Sequence, residues 1–155
     1  NAIHFIDLVC FFTDEHIRSI DSSGLKTWKP SKRKGYFEVF GNLTINYNKG
    51  SLLNLNSRER GTKNLLIKIN NSNKKVVLIN DLNGIAITSE RKKIKGSLEY
   101  LSNQFVKVFD DIISFNNCEL PTLEGSINQH KYYLEAMLLN WNKINISKDK
   151  ILPIT

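Results

Sequence analysis

Tyr36-Phe37-Glu38-Val39-Phe40-Gly41-Asn42-Leu43-Thr44-Ile45-Asn46-Tyr47-Asn48-Lys49-Gly50 is the stretch that decides the fold. Phe37, Val39, Leu43, Ile45 and Tyr47 share one face of an extended chain, and Glu38, Asn42, Thr44 and Asn46 share the other. A period of two marks a half-buried strand, because successive side chains leave a pleated backbone on opposite sides. Gly41 interrupts the alternation and predicts a bulge or bend. Asn48-Lys49-Gly50 predicts a turn, and Leu52 to Leu55 the return strand of a hairpin.

Toward the C-terminus, Leu65 to Ile69, the turn Asn71-Ser72-Asn73 and Val76 to Ile79 read as a second hairpin. Asn80 to Gly84 turns into Ile85 to Thr88, and Lys92 to Ile94 closes the sheet. Two helices follow. Ser97 is a suitable N-cap, and Leu98, Leu101, Phe105, Val108, Phe109 and Ile112 form a helical stripe ending near Phe115. Pro121 to Trp141 predicts the second helix, with Ile127, Leu134, Met137, Leu138 and Trp141 on one side.

Toward the N-terminus, residues 21–35 are mostly polar and contain Gly24, Pro30 and Gly35, which predicts a long loop. His16 to Ile20 fits a short strand. Ile3 to Thr13 fits a helix whose density of apolar side chains predicts burial of most of its surface. Helix, consecutive strands and two helices describe one α+β domain over residues 1–155, with an open, mainly antiparallel sheet and helices packed on one face. The uncovered face, carrying residues such as Tyr36 and Phe40, is expected to be buried in a homo-oligomer or against another domain.

The 155 residues carry a net charge of +7, a length sufficient to bury roughly 70% of the unfolded surface. That charge permits an anionic small molecule, an acidic membrane surface or nucleic acid. Cys10 and Cys118 lie far apart and form neither a disulfide framework nor a zinc spacing, which fits a reduced, cytoplasmic protein. No apolar run reaches the roughly 20 residues that span a bilayer. The apolar periodicity begins at Ile3 without an initiator methionine, so the chain reads as part of something longer.

His4 and Asp7 stand three apart and therefore on one face of the first helix. A histidine there can move a proton near neutral pH or can simply pack. Lys29-Pro30-Ser31-Lys32-Arg33-Lys34-Gly35 places two cations, Lys32 and Arg33, where they could hold a carboxylate or phosphate, or could form a solvated loop. Arg58 and Arg60 are further candidates of that kind. Arg91-Lys92-Lys93-Ile94-Lys95 suits a guarded sheet edge. His130 falls beside Ile127 and Leu134 and is expected to pack. The three histidines have no metal-ligand spacing, so no metal is expected. The scattered aromatics do not form a ladder for single-stranded nucleic acid.

Ala2-Ile3-His4-Phe5-Ile6-Asp7-Leu8 resembles the His-x-Ile-Asp-Leu segment of the glucose–fructose oxidoreductase, inositol dehydrogenase and MocA family (Gfo/Idh/MocA). The strand ending in Asn48-Lys49-Gly50-Ser51, the helix with Phe105 and Phe109, and the closing Leu152-Pro153-Ile154-Thr155 are similar to that family's second domain in order. The resemblance implies the C-terminal, substrate-side and oligomerisation domain of an NAD(P)-dependent dehydrogenase acting on a sugar or sugar derivative. It implies that His4 stands near the substrate hydroxyl, that Asp7 orients the helix start or the imidazole, and that Lys32 and Arg33 lie near substrate. It also implies that NAD or NADP belongs to an N-terminal Rossmann domain absent here, since no Gly-x-Gly-x-x-Gly loop occurs in this chain. This segment alone is then expected to bind no cofactor and to be inactive. The competing reading is a basic binding module for nucleic acid or an acidic partner.

Overall fold

A computed structural model describes residues 2–60, 66–70, 73, 75–80, 83–96, 101–115 and 121–154. In chain order the elements are α1 (Ala2–Thr13), β1 (Ile17–Asp21), β2 (Leu25–Pro30), β3 (Phe37–Tyr47), β4 (Leu52–Ser57), β5 (Leu66–Asn70), β6 (Val76–Asn80), β7 (Ile85–Thr88), β8 (Lys93–Lys95), α2 (Leu101–Phe115) and α3 (Leu123–Asn145). The class is α+β with antiparallel sheets. The chain divides into two compact units, Asn1–Glu59 with Leu120–Thr155, and Arg60–Glu119.

In the first unit β3 is the hub. Ile45 pairs with Ile20 of β1 and with Leu53 of β4, and Gly41 pairs with Leu25 of β2 and with Ser57 of β4. A strand residue has two edges, so β1 and β2 follow one another along one edge of β3 while β4 takes the other. Residues 21–35 are therefore not the long loop their polarity predicts. They turn at Ser22–Gly24, continue as β2 and turn again at Ser31–Tyr36, where Ser31 N donates to Tyr36 O at 2.8 Å. The step from β1 to β2 brings two backbones together: Asn42 N donates to Gly24 O at 3.0 Å. Gly41 sits there at φ +130°, where a Cβ would lie 2.3 Å from Gly24 O. The bend expected at Gly41 is thus a close backbone approach that only glycine permits.

The inward face of β3 follows its alternation. Leu43, Ile45 and Tyr47 are buried with Ile17, Leu25, Ile6 of α1 and Met137 of α3. Both helices cover this face. The outward face is mainly polar: Thr44 Oγ1 donates to Asn54 Oδ1 at 2.9 Å, Asn46 Nδ2 donates to Ser19 Oγ at 3.3 Å, and Asn56 Nδ2 donates to Asn42 Oδ1. Phe40 is half-buried and Tyr36 is exposed.

Glu15 fastens α1 to the β3–β4 turn. Its carboxylate is buried and accepts from Lys49 N at 2.9 Å, Ser51 N at 3.2 Å and Ser51 Oγ at 2.5 Å. The Ser51 hydroxyl first, and then the backbone donors, hold this carboxyl below its ordinary range against the opposing effect of burial. α3 starts with Thr122, whose hydroxyl accepts from Gly125 N at 3.1 Å, and runs past Trp141 to Asn145. It buries Met137, Asn140 and Trp141, whereas Ile127 and Leu134, expected on the packed side, are exposed. The tail returns to the sheet: Phe37 N donates to Pro153 O at 2.8 Å.

In the second unit β5, β6, β7 and β8 form an antiparallel meander in sequence order. None of its residues whose side chains are described is buried. The α2 stripe of Phe105, Phe109 and Ile112 is exposed, and among the described residues α2 packs on no strand. The expected N-cap, Ser97, and Leu98 lie outside the described residues.

Candidate functional site

The first helix has two apolar faces. Ile6 is fully buried, and Ile3, Val9 and Cys10 pack beside it on the core. Stepping 100° per residue places His4, Leu8, Phe11 and Phe12 on the opposite side. His4 is exposed, Phe11 and Phe12 are 59% and 68% exposed, and their rings meet edge to face at 5.7 Å. The expectation of a mostly buried helix is thus corrected: only Ile6 is buried. The run of apolar residues arises because the helix carries two apolar stripes, and the structure covers one. A wheel drawn through residues 3–12 separates the two arcs, so the signal was available in the sequence.

The His4 side chain makes no hydrogen bond among the described residues, and no ion pair joins it to Asp7. Asp7 Oδ1 is shielded from solvent and has no hydrogen-bond partner. Asp7 contributes to raising the Cys10 thiol, after burial itself, and Tyr47 is pushed far up by burial.

Lys32 and Arg33 stand exposed in the β2–β3 turn. Ser31 shapes that turn, accepting from Arg33 N at 3.1 Å and donating to Arg33 O at 3.2 Å. With Ser31 and Glu38 they line an open concavity of about 320 Å³. His4 and Asp7 are not in its lining, so the structure keeps the two pairs of candidates apart. Lys29 is engaged elsewhere, 2.5 Å from Glu59, and Arg58 Nε donates to Asn56 Oδ1 at 2.9 Å. His130 is exposed, its Nδ1 2.8 Å from Ser126 O, rather than packed.

Among the described residues no three His, Cys, Asp or Glu side chains gather where they could hold a metal, and no helix is long and apolar enough to cross a membrane. The strands of both sheets pair antiparallel. Comparison with protein-family models, curated proteins and solved structures finds no match to this chain.

Proposed function

We propose that this chain is the substrate-side domain of a cytoplasmic NAD(P)-dependent oxidoreductase of the Gfo/Idh/MocA type, acting on a sugar or sugar derivative. The observation that supports this reading is the uncovered face of α1. It presents the exposed His4 at the head of an apolar stripe made by the half-buried Leu8 and the exposed Phe11 and Phe12. A stripe of that kind on a helix already anchored by its other face calls for a second covering body. On this reading the covering body is the Rossmann domain, and His4 lies in the cleft between the two.

His4 accepts the proton of the substrate hydroxyl, or holds that hydroxyl in place, as the alcohol carbon is oxidised. Its backbone is fixed because Ile6, Val9 and Cys10 lock the helix onto the core. Lys32 and Arg33 lie outside that cleft, in the open concavity at the β2–β3 turn, and on this reading hold a distal anionic group of the substrate, remote from the reacting carbon. The nicotinamide and the hydride it accepts belong to the other domain.

The test is kinetic, on the full-length protein. His4→Gln lowers kcat by roughly 10²- to 10⁴-fold, while Lys32→Ala with Arg33→Ala raises KM and leaves kcat near wild type. A His4→Gln enzyme with unchanged kcat and KM refutes the assignment of His4. A full-length protein without a Gly-rich strand–turn–helix unit ahead of Asn1 refutes the reading as a whole. The basic-module reading draws on the exposed Arg91, Lys92, Lys93 and Lys95 at the edge of the second sheet. It predicts tight, salt-dependent binding of duplex nucleic acid, and absence of such binding removes it.

A further inference from the structure

We propose that Asn83 is a site of spontaneous covalent modification, where deamidation through a cyclic imide converts the β6–β7 turn into aspartyl and isoaspartyl forms. Asn83-Gly84 is the one Asn-Gly pair in the sequence. Asparagine is among the thermolabile residues, and its lability depends on whether the following backbone nitrogen can reach the side-chain carbonyl. Asn83 is exposed, and its backbone N–H donates to Asn80 Oδ1 at 3.3 Å, which fixes the main chain and leaves the side chain unheld. Neither the Asn83 side-chain amide nor the Gly84 N–H makes a hydrogen bond among the described residues. Gly84 has φ +58° and no Cβ to shield its nitrogen. Asn56-Ser57, a comparable pair, is held instead: it lies in β4, paired with Asn42 and Gly41, and the Asn56 amide bonds Asn42.

In the step, the Gly84 nitrogen attacks Asn83 Cγ. The Cγ–Nδ2 bond breaks, ammonia leaves with the proton from the Gly84 nitrogen, and a five-membered imide forms. Water then opens the ring at either carbonyl, giving aspartate or isoaspartate, with no change of oxidation state. The isoaspartyl product adds a methylene to the main chain directly before Gly84. That matters because Gly84 O accepts from Gly96 N at 2.7 Å, the bond that closes the end of the β7–β8 pair.

The experiment is incubation of the intact chain at mildly alkaline pH, followed by peptide mass mapping and enzymatic methylation of isoaspartate. The expected result is the mass gain of an amide-to-acid exchange on the peptide carrying Asn83, methyl transfer to that peptide, and faster hydrogen exchange at the Gly96 amide. All three disappear in Asn83→Gln, whose longer side chain closes a less favoured ring. The proposal is overturned if the gain falls first on Asn56 or Asn71. It is equally overturned if Asn83 survives in the folded chain under conditions that convert a synthetic Asn80–Thr88 peptide.

Discussion

The Trp28 indole nitrogen donates to the side-chain oxygen of Asn140 at 2.9 Å, joining β2 to α3 across 112 residues of sequence. The same amide donates to Ser22 O at 2.8 Å and Leu25 O at 3.2 Å. Asn140 is 5% exposed and Leu25 is buried, while Ser22 and Trp28 are half-buried. Trp28 also meets Trp141 edge to face at 5.1 Å, and Phe37 lies 4.7 Å from Trp141. Asn140→Ala strands two carbonyls and an indole N–H, and we expect a loss of about 3 kcal/mol in urea denaturation. Wild-type stability in that variant would mean that water replaces the amide.

Gly41 and Gly50 both have left-handed backbones, at φ +130° and +108°. They differ in space. A Cβ on Gly41 meets Gly24 O and the Leu25 Cα, whereas one on Gly50 meets nothing within 4 Å. Gly50→Ala is therefore expected to cost about 1 kcal/mol, and Gly41→Ala about 3 kcal/mol or more, because strain and a backbone clash combine. Equal losses would show that the close pass of the β1–β2 turn over β3 yields easily.

The Glu15 carboxyl is lowered from its ordinary 4.5, first by the Ser51 hydroxyl. A depressed folded-state value stabilises the protein above the unfolded value and loses that contribution as pH falls through the folded one. Thermal midpoints should therefore be steady near neutrality and fall on acidification from about pH 4.5 downward. Asp21, lowered by the Ser23 hydroxyl and then its N–H, acts in the same direction. In Glu15→Gln the neutral-pH midpoint drops and the acid slope flattens. An unchanged slope would place the proton uptake elsewhere.

Phe11→Ser with Phe12→Ser probes the uncovered face of α1. Both rings are exposed, so the isolated chain should keep its thermal midpoint and become less prone to associate. On the proposed reading, the same pair in the full-length protein weakens the seating of the Rossmann domain and lowers activity. A large loss of stability in the isolated chain would mean that the rings support the fold directly.

The sequence by itself determined the strands and helices whose periodicity is strong. The alternation of β3, the turn at Asn48-Lys49-Gly50 and the helical stripes are local, so each could be read from neighbouring residues. β2 was not legible: only Leu25 and Trp28 of Leu25–Pro30 face the helices, and Lys26, Thr27 and Lys29 look like loop residues. It is a strand because β3 offers it an edge, a fact of tertiary pairing. Nor could local pattern distinguish one sheet from two, because the short apolar runs of β5 to β7 read as strands without showing which sheet they join. His4, Asp7, Lys32 and Arg33 were visible as chemistry, but their separation was not. Which stripe of α1 is covered depends on what α3 and the sheet leave free, and only the packed structure decides that.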